Sequence, residues 1–142
     1  MLQSGMTGIV VCVAVLAAAS AFGVLHRRRS GRVRVRGRDD GKRLGAAELG
    51  EGLGERATLV QFSSAFCAPC RATRRVLGEV AGLVPGVTHV EIDAEEHLDL
   101  VRKLDILKTP TVLVLDADGR IVRRATGQPR KEEVIAALGE AV

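Results

Sequence analysis

Two thiols separated by two residues are the groups in this sequence best suited to chemistry. Cys67 and Cys70 enclose Ala68-Pro69, after a strand-like run, Thr58–Phe62, and before a helix-like run from Arg71 to Ala81. The first thiol is therefore expected at a helix N-terminus, where unpaired N–H groups and the helix dipole favour a thiolate. Because the thiolate is the species that attacks a disulfide, the pattern predicts thiol–disulfide exchange.

A second motif follows further along the chain. Lys108-Thr109-Pro110-Thr111 precedes an apolar run, Val112–Leu115, which is typical of a buried strand. The sequence then continues with a hairpin-like turn at Asp116–Arg120, with Gly127, and with a helix-like run over Arg130–Val142. A Cys-x-x-Cys pair with this strand context and a later Thr-Pro is a specific combination.

These segments together resemble the thioredoxin family. Val60–Cys70 is similar to the family's active-site segment, and Lys108–Thr111 is similar to its cis-proline loop. The resemblance extends over residues 57–142. It implies an α/β class, with the thioredoxin fold of a mixed β-sheet flanked by helices.

The resemblance also implies a role for each residue of the two motifs. Cys67 would attack the substrate disulfide, and Cys70 would then attack Cys67 and release the reduced substrate. The active-site turn would consist of Phe66, Ala68 and Pro69, and substrate binding would fall to Thr109 and Pro110. The substrate would be a disulfide-containing protein, and a thiol reductase or low-molecular-weight thiol would supply electrons. No bound cofactor is expected, because the two thiols carry both electrons.

Five positions depart from the usual family pattern. Phe66 stands where thioredoxins usually have Trp, Ala68 where they have Gly, and Gln61 where they have a buried Asp. His89 replaces a common Lys and is open to two interpretations: a partly buried structural residue, or a group that titrates near neutral pH. Thr109 replaces the usual Ile. These departures favour a dedicated membrane partner over general protein-disulfide reduction.

The N-terminal region predicts a membrane anchor. After a short segment, residues 1–7, residues 8–25 form an apolar run without charged side chains, at the short end of a transmembrane helix. Arg27-Arg28-Arg29 follows, and the positive-inside rule places such a cluster in the cytoplasm. We therefore predict a single-pass membrane protein with a cytoplasmic thioredoxin-like domain. A cleaved signal sequence, a reversed orientation and a buried soluble helix are the alternatives.

The basic charge is concentrated between the apolar run and the domain. Residues 26–56 contain ten Arg and Lys against five Asp and Glu, and we predict a basic Gly/Arg-rich linker here. Val33 and Val35 alternate with arginines in a way that also fits a short strand, and Leu44–Leu53 fits a short helix. Because the domain lacks a basic patch with interleaved aromatic residues, nucleic-acid binding is not expected.

The remainder alternates between strand-like and helix-like runs. The strands are predicted at Thr58–Phe62, Val87–Ile92, Thr111–Leu115 and Arg120–Ala125, and the helices at Ala68–Leu83, Glu95–Leu104 and Lys131–Ala141. This order gives a βαβ unit, an antiparallel hairpin and a capping helix over residues 57–142.

Other functions fit the sequence less well. A metal site is not expected, because only His89 and His97 are available in the domain to join the two thiols. Cys12 is expected to be a packing residue of the apolar helix. Two alternatives stay open: an outward-facing oxidase, isomerase or cytochrome-maturation thioredoxin, and a non-catalytic redox sensor or adaptor with the same fold.

Overall fold

The computed structural model describes residues 2–29, 33–34, 39 and 42–142. The chain divides into two units, residues 1–30 and 31–142. The first unit is a single helix, α1 (Leu2–Arg29). Its segment Gln3–His26 is long and apolar enough to cross a membrane, since 24 residues rise about 36 Å and the hydrocarbon core is about 30 Å thick. The helix is longer at both ends than the predicted residues 8–25.

A five-stranded mixed sheet forms the centre of the second unit. The strands are β1 (Val33–Arg34), β2 (Ala57–Ser63), β3 (Val87–Asp93), β4 (Thr111–Asp116) and β5 (Ile121–Thr126). The strand order is β1-β5-β4-β2-β3. β2 and β3 are parallel, and the other neighbouring pairs are antiparallel. The helices are α2 (Ala46–Leu49), α3 (Ala68–Leu83), α4 (Leu98–Lys103) and α5 (Lys131–Ala141).

Helices cover both faces of the sheet. Alternate strand residues such as Leu59 and Val112 pack against Leu77 of α3 and Leu138 of α5. The intervening residues pack with α2, α4 and the segments that flank them; this second cluster contains Val60, Phe62, Leu113, Leu115, Leu49, Leu100 and Leu104. All seven residues of β2 are buried, as expected for a central strand that is covered on both sides.

The predicted α/β class and thioredoxin fold are confirmed, and most predicted elements lie within one or two residues of their observed positions. α3 and α5 have the predicted bounds. α4 begins later than the predicted Glu95, because the residues after β3 form a turn in which the Glu95 N–H donates to Asp93 Oδ1 at 2.8 Å. Asp99 lies in the first turn of α4, where a carboxylate suits the helix dipole.

The structure differs from the predicted linker at residues 26–56, because the folded unit begins well before residue 57. β1 pairs with β5, although Val35 lies outside the described residues. Leu44 is buried, and its N–H donates to the Gly119 carbonyl at 2.9 Å. Gly119 has a φ of +82°, and a Cβ at this position would collide with the Leu44 carbonyl. The short helix foreseen after Leu44 is α2.

A buried ion pair fixes the same segment to the sheet. The Arg124 Nε and Nη2 atoms of β5 donate to the two Asp39 carboxylate oxygens at 2.8 and 2.7 Å. Both residues are only 3% exposed. Arg124 also donates to the carbonyls of Leu104, at 2.6 Å, and Asp105, at 3.4 Å. One guanidinium therefore joins the segment before β2, strand β5 and the end of α4.

We expect Asp39→Ala to lower the free energy of unfolding by about 3 kcal/mol or more, because it leaves a buried guanidinium without its counter-ion. Urea unfolding of the full-length protein in mild detergent measures this loss. The matched control is Glu79→Gln, which removes a surface pair with Lys131 at 3.3 Å and is expected to cost less than about 1 kcal/mol. Equal losses for the two variants would contradict the anchoring role of Asp39.

Candidate active site

Cys67 and Cys70 form a disulfide at the beginning of α3, with their Cα atoms 5.2 Å apart. Cys67 is the N-cap of α3 and is partly exposed, whereas Cys70 is one turn into the helix and only 2% exposed. The two sulfur atoms therefore differ in access: a second molecule can reach Cys67 but not Cys70. The sequence predicted the position of Cys67 at the N-terminus of this helix.

The local sequence explains why α3 begins at this point. The Cys70 N–H donates to Cys67 Sγ at 3.2 Å, which satisfies one of the free amide groups of the first turn. Pro69 lies in that turn, where its missing N–H costs little. The Thr73 hydroxyl donates to the Pro69 carbonyl at 2.8 Å. In the reduced protein, the same helix N-terminus would favour the thiolate of Cys67.

The turn before Cys67 presents its aromatic side chain to solvent. Phe66 is fully exposed and has a φ of 59°, a left-handed conformation that is costly for a bulky residue. Ala68, on the other side of Cys67, is also exposed. The active-site turn therefore surrounds the accessible sulfur with a ring and a methyl group, both open to a partner.

The loop that contains Thr109 and Pro110 lies beside this turn. The peptide bond between these two residues is cis. Thr109 Oγ1 lies 2.8 Å from Ser64 Oγ, which directly follows β2. The Gly127 N–H donates to the Pro110 carbonyl at 2.8 Å. Because β4 pairs with β2, the antiparallel register brings the start of β4 to the end of β2 that leads into the two cysteines.

A polar pair, Gln61 and His89, lies beneath the first turn of α3, and the sequence indicated it only indirectly. Gln61 of β2 is fully buried, and its Nε2 atom donates to the Cys70 carbonyl at 2.8 Å and to Ser63 Oγ at 2.9 Å. His89 Nε2 lies 3.1 Å from Gln61 Oε1. The signal was one amide in an otherwise apolar part of a central strand; its contact with Cys70 depends on how α3 packs.

Two pKa values near this pair are shifted. Burial lowers the pKa of His89; the nearby Arg74 cation lowers it further, while the Glu91 carboxylate opposes both. The Arg74 guanidinium donates to Glu91 and holds the pKa of that carboxyl below its usual range, with a smaller contribution from the Ser63 hydroxyl. His89 is therefore preferentially neutral in the folded protein.

We expect acidification to destabilise the wild-type protein more than a His89→Gln variant. The folded state depresses the pKa of His89 below 6.5, so the unfolded chain binds the proton first as the pH falls through this value. The free energy of unfolding should therefore fall below about pH 6.5 by more than carboxylate protonation alone causes. Urea unfolding of both proteins between about pH 8 and pH 5 measures the difference, and parallel curves would contradict it.

The protein-family model for thioredoxin matches residues 47–140, which is more than half of the chain. Thioredoxin H4-1 of Oryza sativa subsp. japonica is 33% identical over 84 residues, which are 58% of this chain and 63% of that protein. A thioredoxin of Alicyclobacillus acidocaldarius subsp. acidocaldarius is 33% identical over 88 residues, which are 61% of this chain and 83% of that protein. The chain thus spans less than two thirds of the rice protein and most of the bacterial one.

Solved structures share the fold. Thioredoxin NaTrxh from Nicotiana alata superposes with a TM-score of 0.55 at 25% identity, over 61% of this chain and 74% of that one. Oxidised mitochondrial thioredoxin 3 from Saccharomyces cerevisiae gives a TM-score of 0.53 at 19% identity, over 60% and 78% of the two chains, and supports the fold alone. The predicted resemblance is confirmed. With its helix-capping Cys67 and buried Cys70, the protein belongs to the thioredoxin family and is a thioredoxin-like oxidoreductase with a Cys-x-x-Cys pair.

Proposed function

We propose that the protein is a membrane-anchored protein-disulfide reductase whose thioredoxin-like domain faces the cytoplasm. The observation that carries the proposal is the unequal access of the two sulfur atoms: Cys67 is partly exposed at a helix N-terminus, and Cys70 is buried one turn further on. An exposed, activated thiol is suited to attack a disulfide. A buried neighbour is protected from the substrate and is suited to the second step.

The proposed reaction has two exchange steps. The Cys67 thiolate attacks one sulfur of the substrate disulfide, which forms a mixed disulfide and releases one substrate thiolate. The Cys70 thiolate then attacks Cys67 Sγ, which releases the second substrate thiolate and leaves the Cys67–Cys70 disulfide. The substrate gains two electrons from the protein, and its thiolates take up protons from solvent. A thiol reductase or a low-molecular-weight thiol restores the two thiols.

Substrate binding is proposed at the surface around Cys67. The family resemblance assigns to Thr109 and Pro110 the backbone hydrogen bonding of an extended substrate segment, which is recognition by strand addition. Two observations support this assignment: Thr109 contacts Ser64 beside the active-site turn, and the ring of Phe66, next to Cys67 in the sequence, is exposed. Backbone pairing would accept many sequences, and the Phe66 ring would add apolar contact area.

The anchor is proposed to be α1. Its apolar side chains are exposed, and Arg27-Arg28-Arg29 follows the apolar segment, which supports an orientation with the C-terminal domain inside. A signal sequence has a similar length and apolar character but places its positive charges before the apolar run. The proposed substrates are therefore disulfides or oxidised thiols of proteins near the membrane, on its cytoplasmic side.

We expect Cys67→Ser to reduce the rate of insulin disulfide reduction by dithiothreitol to the rate of the reductant alone, because the attacking sulfur is gone. Cys70→Ser should instead accumulate a mixed disulfide between Cys67 and its substrate, because the second attack is lost. Turbidity of the released insulin chains measures the first effect, and non-reducing electrophoresis measures the second. If Cys67→Ser retained both full activity and partner binding, the adaptor alternative would replace the enzyme.

The direction of electron flow is tested on the same protein. A midpoint potential of the Cys67–Cys70 couple near −270 mV, about that of thioredoxin, goes with a reductase. A value above about −180 mV would overturn the reductase and favour an outward-facing oxidase or isomerase. Equilibration of the Cys12→Ser protein with dithiothreitol and glutathione gives this value without interference from the third thiol.

We expect a reporter enzyme that is active only in the cytoplasm to be active when fused after Val142. The matched fusion, to an enzyme active only outside the cytoplasm, should be inactive, because the arginine cluster after the apolar segment resists translocation. The protein should also stay in the membrane fraction after carbonate washing. The opposite reporter pattern would favour the outward-facing alternative, and a soluble protein shortened at its N-terminus would indicate a cleaved signal.

A further inference from the structure

The buried Gln61–His89 pair makes contacts that the proposed reaction does not yet use. Gln61 lies on the central strand directly beneath the first turn of α3 and contacts the Cys70 carbonyl. His89 lies on the neighbouring strand β3 and is half-buried. No buried polar side-chain atom in the described part of the chain lacks a hydrogen-bond partner. The pair is therefore a complete network that ends at the backbone of one of the two redox cysteines.

The contact with the Cys70 carbonyl determines the orientation of the Gln61 side-chain amide. A carbonyl oxygen only accepts hydrogen bonds, so the amide atom 2.8 Å from it must be the NH2 group. The amide oxygen then points toward His89, which must carry a proton on Nε2 to donate across the 3.1 Å contact. This assignment fixes the neutral tautomer of His89. The ring and the amide thus hold each other in a single orientation.

We propose that Gln61 is a positioning residue for the second thiol exchange and that His89 acts by orienting Gln61. The inference rests on the proposed function, in which Cys70 attacks the mixed disulfide on Cys67. The amide ties the carbonyl of Cys70 to strand β2, so the first turn of α3 stays seated against the sheet when the Cys67–Cys70 bond is open. The Cys70 sulfur then stays aligned with Cys67.

Two properties of the site favour this role over a general structural one. The amide contacts the helix at Cys70 itself, the residue whose sulfur makes the second attack. Gln61 also has no charge in any state, so it places no carboxylate beside the buried thiol that must ionise. The first attack, by the partly exposed Cys67, has no such contact with the pair and should not depend on it.

The test uses 5,5′-dithiobis(2-nitrobenzoate) with the full-length reduced protein in detergent, with Cys12→Ser as background. Attack by Cys67 releases one thionitrobenzoate and leaves the other as a mixed disulfide; attack by Cys70 releases the second and forms the Cys67–Cys70 disulfide. Two colour-forming steps therefore separate the two exchanges. We expect Gln61→Met to slow the second step about tenfold, the effect of losing the single buried hydrogen bond to the Cys70 carbonyl, and to change the first by less than about twofold.

Variants of His89 and a matched control make the result specific. His89→Leu should also slow the second step, whereas His89→Gln, which keeps a donor near the position of Nε2, should restore it. Thr58→Val is the control: Thr58 is equally buried on the same strand, but its hydroxyl accepts from Gly54 N–H at 2.9 Å, not from α3. This variant should lower stability and leave both steps unchanged. If Gln61→Met does not fold, the two His89 variants carry the test.

The outcomes separate this inference from the function on which it rests. If the Cys12→Ser protein with no further change releases only one thionitrobenzoate, or none, the proposed dithiol exchange itself is overturned. Two normal steps in the Cys12→Ser background together with an unchanged second step in Gln61→Met and His89→Leu would overturn the positioning role alone. A second step slowed equally by Thr58→Val would also overturn it, because the effect would then follow general stability.

Discussion

The structure depends on the burial of strand β2 on both faces. Residues of one face, such as Leu59, pack beneath α3 and α5, and residues of the other, such as Phe62, pack against α2 and α4. Because this strand ends at Ser63, four residues before Cys67, its position in the sheet also fixes where the redox motif emerges. A polar side chain on such a strand must find partners inside the protein. Gln61 finds them in the Cys70 carbonyl, Ser63 and His89.

The start of α3 places the two cysteines in different environments. Cys67 occupies the N-cap, so its sulfur lies at the positive end of the helix dipole and accepts the Cys70 N–H. The same geometry buries Cys70 against the sheet. Because Cys67 and Cys70 are three residues apart at the start of one helix, a partner can reach the first thiol but not the second. The cis-proline loop is added to this site by the pairing of β4 with β2.

The segment before β2 belongs to the folded unit. Its basic composition and glycines predicted a solvated linker, yet Leu44, Leu49 and Asp39 are buried in the structure. The two leucines and Asp39 are buried for different reasons. Leu44 and Leu49 cover an apolar face of the sheet, whereas Asp39 is buried because Arg124, 85 residues away, offers it a bidentate ion pair.

The sequence by itself determined the chemistry and the order of the elements. The Cys67–Cys70 spacing, the strand before it and the helix after it are local patterns, and so are the periodicities that gave α3 and α5 their bounds. Tertiary structure decided which distant residues meet: Gln61 and His89 beneath Cys70, Thr109 beside Ser64, and Asp39 on Arg124. Each of these contacts is a hydrogen bond of about 3 Å. The groups that form it are far apart in the sequence and come together only through the register of the sheet and the packing of the helices. A single sequence carries the type of each residue but not this register, so the partners of its polar residues emerge only when the chain is folded.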